Sequence, residues 1–168
     1  MDTMTPLHRR DATAALHPGS GAGEVDVDIP SGWDRSDDPS PALLVARPSG
    51  WVGPVVPSLT VARVVTAELT TLGAYADRMV PSTLLSLGGH LIHLGSGHRP
   101  VDHLDLTIAT EQWGSDLTVT ARHVMRPGGG AMVATGAAAD TDWAALATTL
   151  LRAVHSLRVR WHPAGGAP

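Results

Sequence analysis

Residues 104–125, LDLTIATEQWGSDLTVTARHVM, decide the fold of this chain. In their first part apolar side chains occupy every second position, and they do so again from Leu117 to Met125. This period of two is typical of a strand that buries one face. Residues 112–115 between the two runs have the composition of a turn. The stretch therefore predicts two antiparallel strands joined by a tight connection.

The residues that follow extend this hairpin into a meander and close the chain with a helix. The glycine-rich residues 127–130 predict a second turn, and residues 131–137 predict a third strand. Asp140 or Thr141 can cap the final helix, whose apolar side chains recur at helical spacing down to Leu157. Strands joined by short turns and followed by a helix favour an α+β fold.

Earlier segments add to the same sheet. Alternation or short apolar runs predict strands at residues 25–29, 42–46, 59–65 and 90–94. A helix capped by Thr70 or Thr71 is expected to run to about Val80, where Pro81 breaks or restarts it.

The sequence thus predicts a central antiparallel sheet of about six to seven strands flanked by helices. It divides into a flexible leader over residues 1–24, a single domain over 25–160 and a tail over 161–168.

The composition excludes several classes of chemistry. The 168 residues contain no cysteine and no lysine, which excludes disulfides, thiolate nucleophiles, Schiff-base lysines and the phosphate-binding P-loop. A net charge of −4 gives no basic surface for nucleic acid. No apolar run is long enough for a membrane span, and none follows Arg9 and Arg10 as in a secretory signal. We therefore expect a cytoplasmic protein without a cofactor.

Four histidines within fourteen residues suggest a metal site. The spacing argues against it, because on a regular strand His90 and His93 point to opposite faces, and the remaining candidate ligands, His98 and His103, lie in or beside a loop with glycine and proline. Solvated histidines are therefore favoured over a metal site. His98 could also form a nucleophilic triad with Asp102 and Ser96, although no G-x-S-x-G motif surrounds the serine. His123 lies on the apolar face of its predicted strand and is expected to be a hydrogen-bonded core residue.

Two tryptophans are candidates for contact with a partner. Trp51 lies in a stiff loop rich in glycine, proline and valine, which is either packed under a helix or presented to a partner, and burial is favoured. Trp113 lies at the tip of the predicted hairpin, where an exposed aromatic side chain suits binding.

Taken in order, five short motifs resemble the Mog/PsbP-like family and, within it, the actinobacterial LpqN/LpqT-type proteins. Residue 58 is serine where that family more often has asparagine. The motifs are 27–33 VDIPSGW, 43–46 LLVA, 57–61 PSLTV, 71–76 TLGAYA and 155–159 HSLRV.

The resemblance implies an α/β/α sandwich whose members are mostly non-catalytic binding modules, with no shared catalytic residue. One branch binds the Ran GTPase, another is the photosystem subunit PsbP, and mycobacterial lipoproteins serve envelope or host contacts. The sequence lacks the lipid-anchor cysteine of that last branch.

The leading hypothesis is therefore a non-catalytic, cytoplasmic module that binds an unidentified protein, as an adaptor, secretion-associated chaperone or immunity-like protein. One alternative is a carrier of an apolar ligand between sheet and helix. Another is a hydrolase or metal enzyme that uses residues 90–103. A homodimer through a sheet edge or face is also plausible, because an antiparallel sheet has edges to cover.

Overall fold

A computed structural model describes residues 11–14, 24–36, 42–65, 71–112, 114–126 and 130–161. They form ten strands and two helices. In chain order these are β1 Asp11–Ala14, β2 Glu24–Asp28, β3 Trp33–Ser36, β4 Ala42–Pro48, β5 Ser58–Val64, α1 Leu72–Leu87, β6 His90–Gly97, β7 His103–Gln112, β8 Ser115–Met125, β9 Ala131–Ala139, α2 Asp140–His155 and β10 Arg158–Arg160.

Seven strands form one antiparallel sheet in the order β3-β4-β5-β9-β8-β7-β6. The meander predicted from residues 104–137 is confirmed as β7, β8 and β9 at one side of this sheet. A smaller antiparallel sheet has the order β1-β2-β10. The predicted α+β class, with a seven-stranded antiparallel sheet and helices packed on it, is confirmed.

The two helices pack on opposite faces of the large sheet. Strand β9 shows this, because its alternate residues belong to different apolar cores. Met132 packs in a core with α2 and the small sheet, whereas Val133 packs in a second core with α1. Gly136 lies under α2, where an added Cβ would be 3.1 Å from Leu150. The absent side chain lets the helix approach the sheet closely.

Helix α1 differs from the prediction at its middle and agrees with it at its start. Thr71 is the N-cap, and its hydroxyl oxygen accepts a hydrogen bond from the Ala74 amide at 3.2 Å. The predicted break at Pro81 is wrong, because the helix continues to Leu87. Pro81 removes one backbone donor, but it is exposed, so the freed carbonyl on that side can bond to water.

Helix α2 follows β9 without a loop, so the predicted side-chain cap on Asp140 or Thr141 is wrong. The N-cap is Ala139, and Asp140 accepts a hydrogen bond from the Thr118 hydroxyl of the sheet. The first turn contains Asp140 and Asp142, and their negative charges complement the helix dipole.

The N-terminal segment also differs from the expectation of a leader without structure. Asp11–Ala14 forms a strand that pairs with β2, while the other residues before Glu24 lie outside the described part of the chain. A strand of four residues without clear alternation gives little sequence signal. Neither of the two described helices is long and apolar enough to cross a membrane.

Candidate functional site

Strand β6 is the last strand of the large sheet, and its outer side is the candidate functional site. Among the described residues no strand pairs with that side. Leu91, Ile92 and Leu94 are 36%, 57% and 49% exposed. No charged residue of the Asp, Glu or Arg type occurs in His90–Gly97. Edge strands are usually protected by charge or shortness, so a long, neutral and apolar edge is a surface suited to binding.

The opposite edge of the sheet has the usual protection. Strand β3 has four residues, and Asp34 and Arg35 lie within it. Asp34 also accepts a hydrogen bond from the Ser49 hydroxyl at 2.7 Å. Of the two edges of the large sheet, β6 is therefore the one open to an added strand.

A bulge at Ile92 sets the direction of the β6 side chains. His90 pairs with Ala109, and His93 pairs with Thr107. Because Thr107 and Ala109 are two residues apart on β7, their side chains lie on the same face of the sheet, and so do those of the two histidines. The prediction that His90 and His93 point to opposite faces is therefore wrong, because Ile92 is an extra residue between them. The same bulge places Leu91 and Leu94 together on the other face, the one on which α1 packs.

Two glycines make room for imidazole rings on the histidine face of β6. A Cβ on Gly95 would be 3.1 Å from Nε2 of His93, and a Cβ on Gly97 would be 2.6 Å from Cε1 of His103. The rings thus lie across the glycine backbone. One face of β6 carries imidazoles and the other carries leucines.

The imidazole face continues into a polar cluster around Asp105. Both of its carboxylate oxygens accept hydrogen bonds from Arg122, at 2.8 and 3.0 Å. Nε2 of His103 and Nε2 of His155 each lie 3.9 Å from that carboxylate. Arg122 also donates to the backbone carbonyl of His155 at 3.0 Å. The cluster therefore ties the end of α2 to β7 and β8.

The electrostatics of this cluster favour a structural role. The Asp105 carboxylate is already paired with Arg122, so it is not free to act as a base. Burial lowers the pKa of His155, although the charge of Asp105 acts in the opposite direction. The ring of His155 is thus held neutral more strongly than that of an exposed histidine.

The two histidines weighed as candidate metal ligands, His98 and His103, contact different partners. Nδ1 of His98 is 2.8 Å from a carboxylate oxygen of Asp102, and these side chains are 75% and 46% exposed. Nδ1 of His103 donates instead to the Val101 carbonyl at 3.0 Å. In the part of the chain that the structure describes, no three His, Asp or Glu side chains are grouped closely enough for a metal ion.

His123 lies in the core, as predicted. It is 5% exposed, and its Nδ1 shares a hydrogen bond of 2.7 Å with the hydroxyl of the fully buried Tyr75. Burial lowers the pKa of His123 from 6.5 to about 4, and burial raises the pKa of Tyr75. This pair joins α1 to β8 and is closed to a substrate.

Of the two tryptophans proposed to contact a partner, Trp51 lies within the described residues. Nε1 of Trp51 donates to the Val55 carbonyl at 2.9 Å, and its ring covers Gly53. Trp51 is partly buried within its own loop, while the adjacent Val52 is 96% exposed. A partner contact by Trp51 stays a prediction. Trp113 lies outside the described residues.

A cavity of about 250 Å³ lies at the end of the sheet near the start of α2. Its lining includes His90 and the carboxylates of Glu111, Asp116 and Asp140. Acidic walls of this kind do not suit the apolar ligand of the carrier hypothesis.

No family sequence model matches the chain, and neither does any of the curated proteins. Solved structures do match. LpqN of Mycobacterium tuberculosis, described as involved in cell envelope biogenesis, has a TM-score of 0.67 at 16% identity over 90% of this chain and 91% of its own. This chain has the Mog/PsbP-like fold.

Two further structures with the Mog/PsbP-like fold are similar. The cyanobacterial PsbP of Synechocystis has a TM-score of 0.61 at 13% identity, covering 81% of this chain and 86% of its own. The Ran-binding protein Mog1p of Saccharomyces cerevisiae has a TM-score of 0.56 at 12% identity, covering 90% and 96%. The fold expected from the five short motifs is confirmed.

Sequence reasoning missed the two features that define the site. A bulge has no fixed motif, although Leu91 and Ile92 in succession interrupt the alternation at that point. The Asp105 cluster draws on β6, β7, β8 and α2, so no local spacing could have indicated it.

Proposed function

We propose that this protein is a non-catalytic module that binds another protein by adding a strand of that partner to the outer side of β6. The observation that carries the proposal is the neutral eight-residue edge with Leu91, Ile92 and Leu94 exposed. In such binding the backbone of the added strand supplies hydrogen bonds, and alternate side chains supply selectivity. The leucine face of β6 favours a partner segment with apolar residues at alternate positions.

The engagement of the titratable groups supports a non-catalytic role. Asp105 is paired with Arg122, and His123 is buried against Tyr75. His98 and Asp102 form an exposed pair, a position in which water weakens any activation of a nucleophile.

The comparisons are consistent with a binding role, since one of the similar structures is a binding protein. Mog1p is a Ran-binding protein, and LpqN is involved in cell envelope biogenesis. Cytoplasmic location is part of the proposal for the present chain, and cell fractionation with an antibody to the protein tests it, because LpqN points to the envelope instead.

Capture experiments with edge variants test the binding mode. The wild-type chain, Leu94→Lys and Val52→Lys are immobilised and exposed to lysate of the native host, and the captured proteins are quantified. Lysine at residue 94 puts a charge on the edge, whereas Val52 is 96% exposed in the loop between β4 and β5. We expect a partner retained by wild type and Val52→Lys, and reduced at least tenfold by Leu94→Lys.

Two outcomes would contradict this proposal. Equal capture by all three chains would show that β6 is not the binding edge. Loss of capture only with Val52→Lys would show that the partner binds to the loop that contains Trp51, and not to β6. Circular dichroism spectra of the variants control for loss of folding.

A further inference from the structure

We infer that β6 also accepts β6 of a second copy of this chain, so that two large sheets join into one across a two-fold axis. This inference rests on the proposed function, because it uses the same open edge. The occupant it names is a second copy, and the geometry and charge of the strand argue for it.

Charge is the first argument. Antiparallel self-pairing sets each side chain opposite a residue of the identical strand, so any charged position can meet a like charge. His90–Gly97 contains no Asp, Glu or Arg, and its two histidines lie on the face away from the leucines. A copy of this strand therefore meets β6 without repulsion between carboxylates or between guanidinium groups. A partner that binds through ion pairs with carboxylates or guanidinium groups has no such group to contact on β6.

The position of the leucines gives the register. Leu91 and Leu94 both lie on the α1 face because of the bulge at Ile92. A two-fold axis between Ile92 and His93 sets Leu91 of each copy opposite Leu94 of the other. Four leucine side chains, now 36% and 49% exposed, would then cover one another on one face of the joined sheet.

The size of the contact sets its strength. Stable interfaces bury on the order of 1,200 Å² or more in total, and a single strand pair of eight residues supplies less than that. The dimer is therefore weak and dependent on concentration. Such an edge can exchange a second copy for the strand of another protein, which makes self-pairing compatible with the proposed function.

The register can be tested by cross-linking, because the chain contains no cysteine. In this arrangement the Cα atoms of residue 92 in the two copies are about 6 Å apart, within the range of a disulfide. Those of residue 96 are roughly 24 Å apart. Single variants Ile92→Cys and Ser96→Cys are oxidised under the same conditions and separated on non-reducing gels. We expect covalent dimers at least tenfold faster from Ile92→Cys.

Analytical sedimentation of the wild-type chain and of Leu94→Asp measures whether the chain forms dimers when no cross-link is present. We expect the wild-type mass to rise from one chain towards two as concentration increases into the hundreds of micromolar, and Leu94→Asp to remain a single chain. Val52→Asp, altered at another exposed apolar residue, should behave as wild type.

The inference is overturned if the wild-type chain stays a single chain at these concentrations, or if Ser96→Cys cross-links as fast as Ile92→Cys. Either result leaves the proposed function intact as long as capture of the other protein still depends on Leu94.

Discussion

Lowering the pH from 7 to 5 should destabilise this protein through one buried histidine. The pKa of His123 is lowered by burial to about 4, whereas the unfolded chain binds the same proton near 6.5. Between these two values the unfolded state holds more protons than the folded state. Stability therefore rises with pH in this window and is lost as the pH falls through it.

The size of the effect follows from the shift. One pKa unit corresponds to about 1.4 kcal/mol, and the window from 6.5 to 5 costs about 2 kcal/mol. The negative charge of Asp105 raises the pKa of His123 and burial lowers it more, and the pKa of about 4 is the result of both effects. With a denaturant dependence of about 2 kcal/mol per molar urea, the unfolding midpoint should fall by roughly 1 M.

Urea unfolding followed by circular dichroism at pH 7 and pH 5 measures this loss. The variant His123→Leu places an apolar side chain among the apolar core residues and removes the titrating ring. We expect it to lose about 2 kcal/mol less than wild type over the same pH interval. The variant His98→Gln is the matched control, because it removes an imidazole whose side chain is 75% exposed and lies outside the core. The reasoning would be refuted if His123→Leu and wild type lost stability equally.

Two substitutions test the packing around the sheet. Tyr75→Phe leaves the buried Nδ1 of His123 without its partner, so the free energy of unfolding in urea should fall by about 1–3 kcal/mol. Adding His123→Leu to this variant should recover part of the loss. If the losses of the two single variants simply add in the double variant, the pairing is contradicted. Gly136→Val puts a side chain where a Cβ alone would be 3.1 Å from Leu150. The free energy of unfolding should therefore fall by about 1–3 kcal/mol, which thermal melting measures. An unchanged melting temperature would mean that α2 does not pack against this glycine.

Much of the fold could be predicted from the sequence because its strands bury one face. In β7 alternate residues are buried from Leu104 to Thr110, as the pattern at residues 104–110 predicts. Helix α1 begins after the predicted cap Thr71, and it ends at Gly88, whose left-handed conformation is common at helix C-termini. These features are local, and local patterns report them.

Features that depend on tertiary context could not be predicted. Whether Pro81 interrupts a helix depends on its surroundings, and here Leu72 and Tyr75 anchor the preceding turns to the sheet while the exposed Pro81 leaves the freed carbonyl to water. The bulge in β6 depends on its register with β7. The spacing of His98 and His103 argued against a shared metal, and in the fold the two side chains bond to different partners, Asp102 and the Val101 carbonyl. The open edge at β6 depends on the order of the strands in the sheet, which no local pattern contains.

The small sheet has a consequence for the order in which the chain folds. Strand β2 pairs with β10, and Glu24 and Arg160, which form a salt bridge at 3.2 Å, are separated by 136 positions. Closing so long a loop costs entropy before its contacts are gained, and such contacts slow folding. We expect the hairpins of the meander to form first and this closure to come last. During synthesis, Val25 and Val27 stay exposed to water until nearly the whole polypeptide, including β10, has been made. In that interval their apolar side chains are accessible to a chaperone.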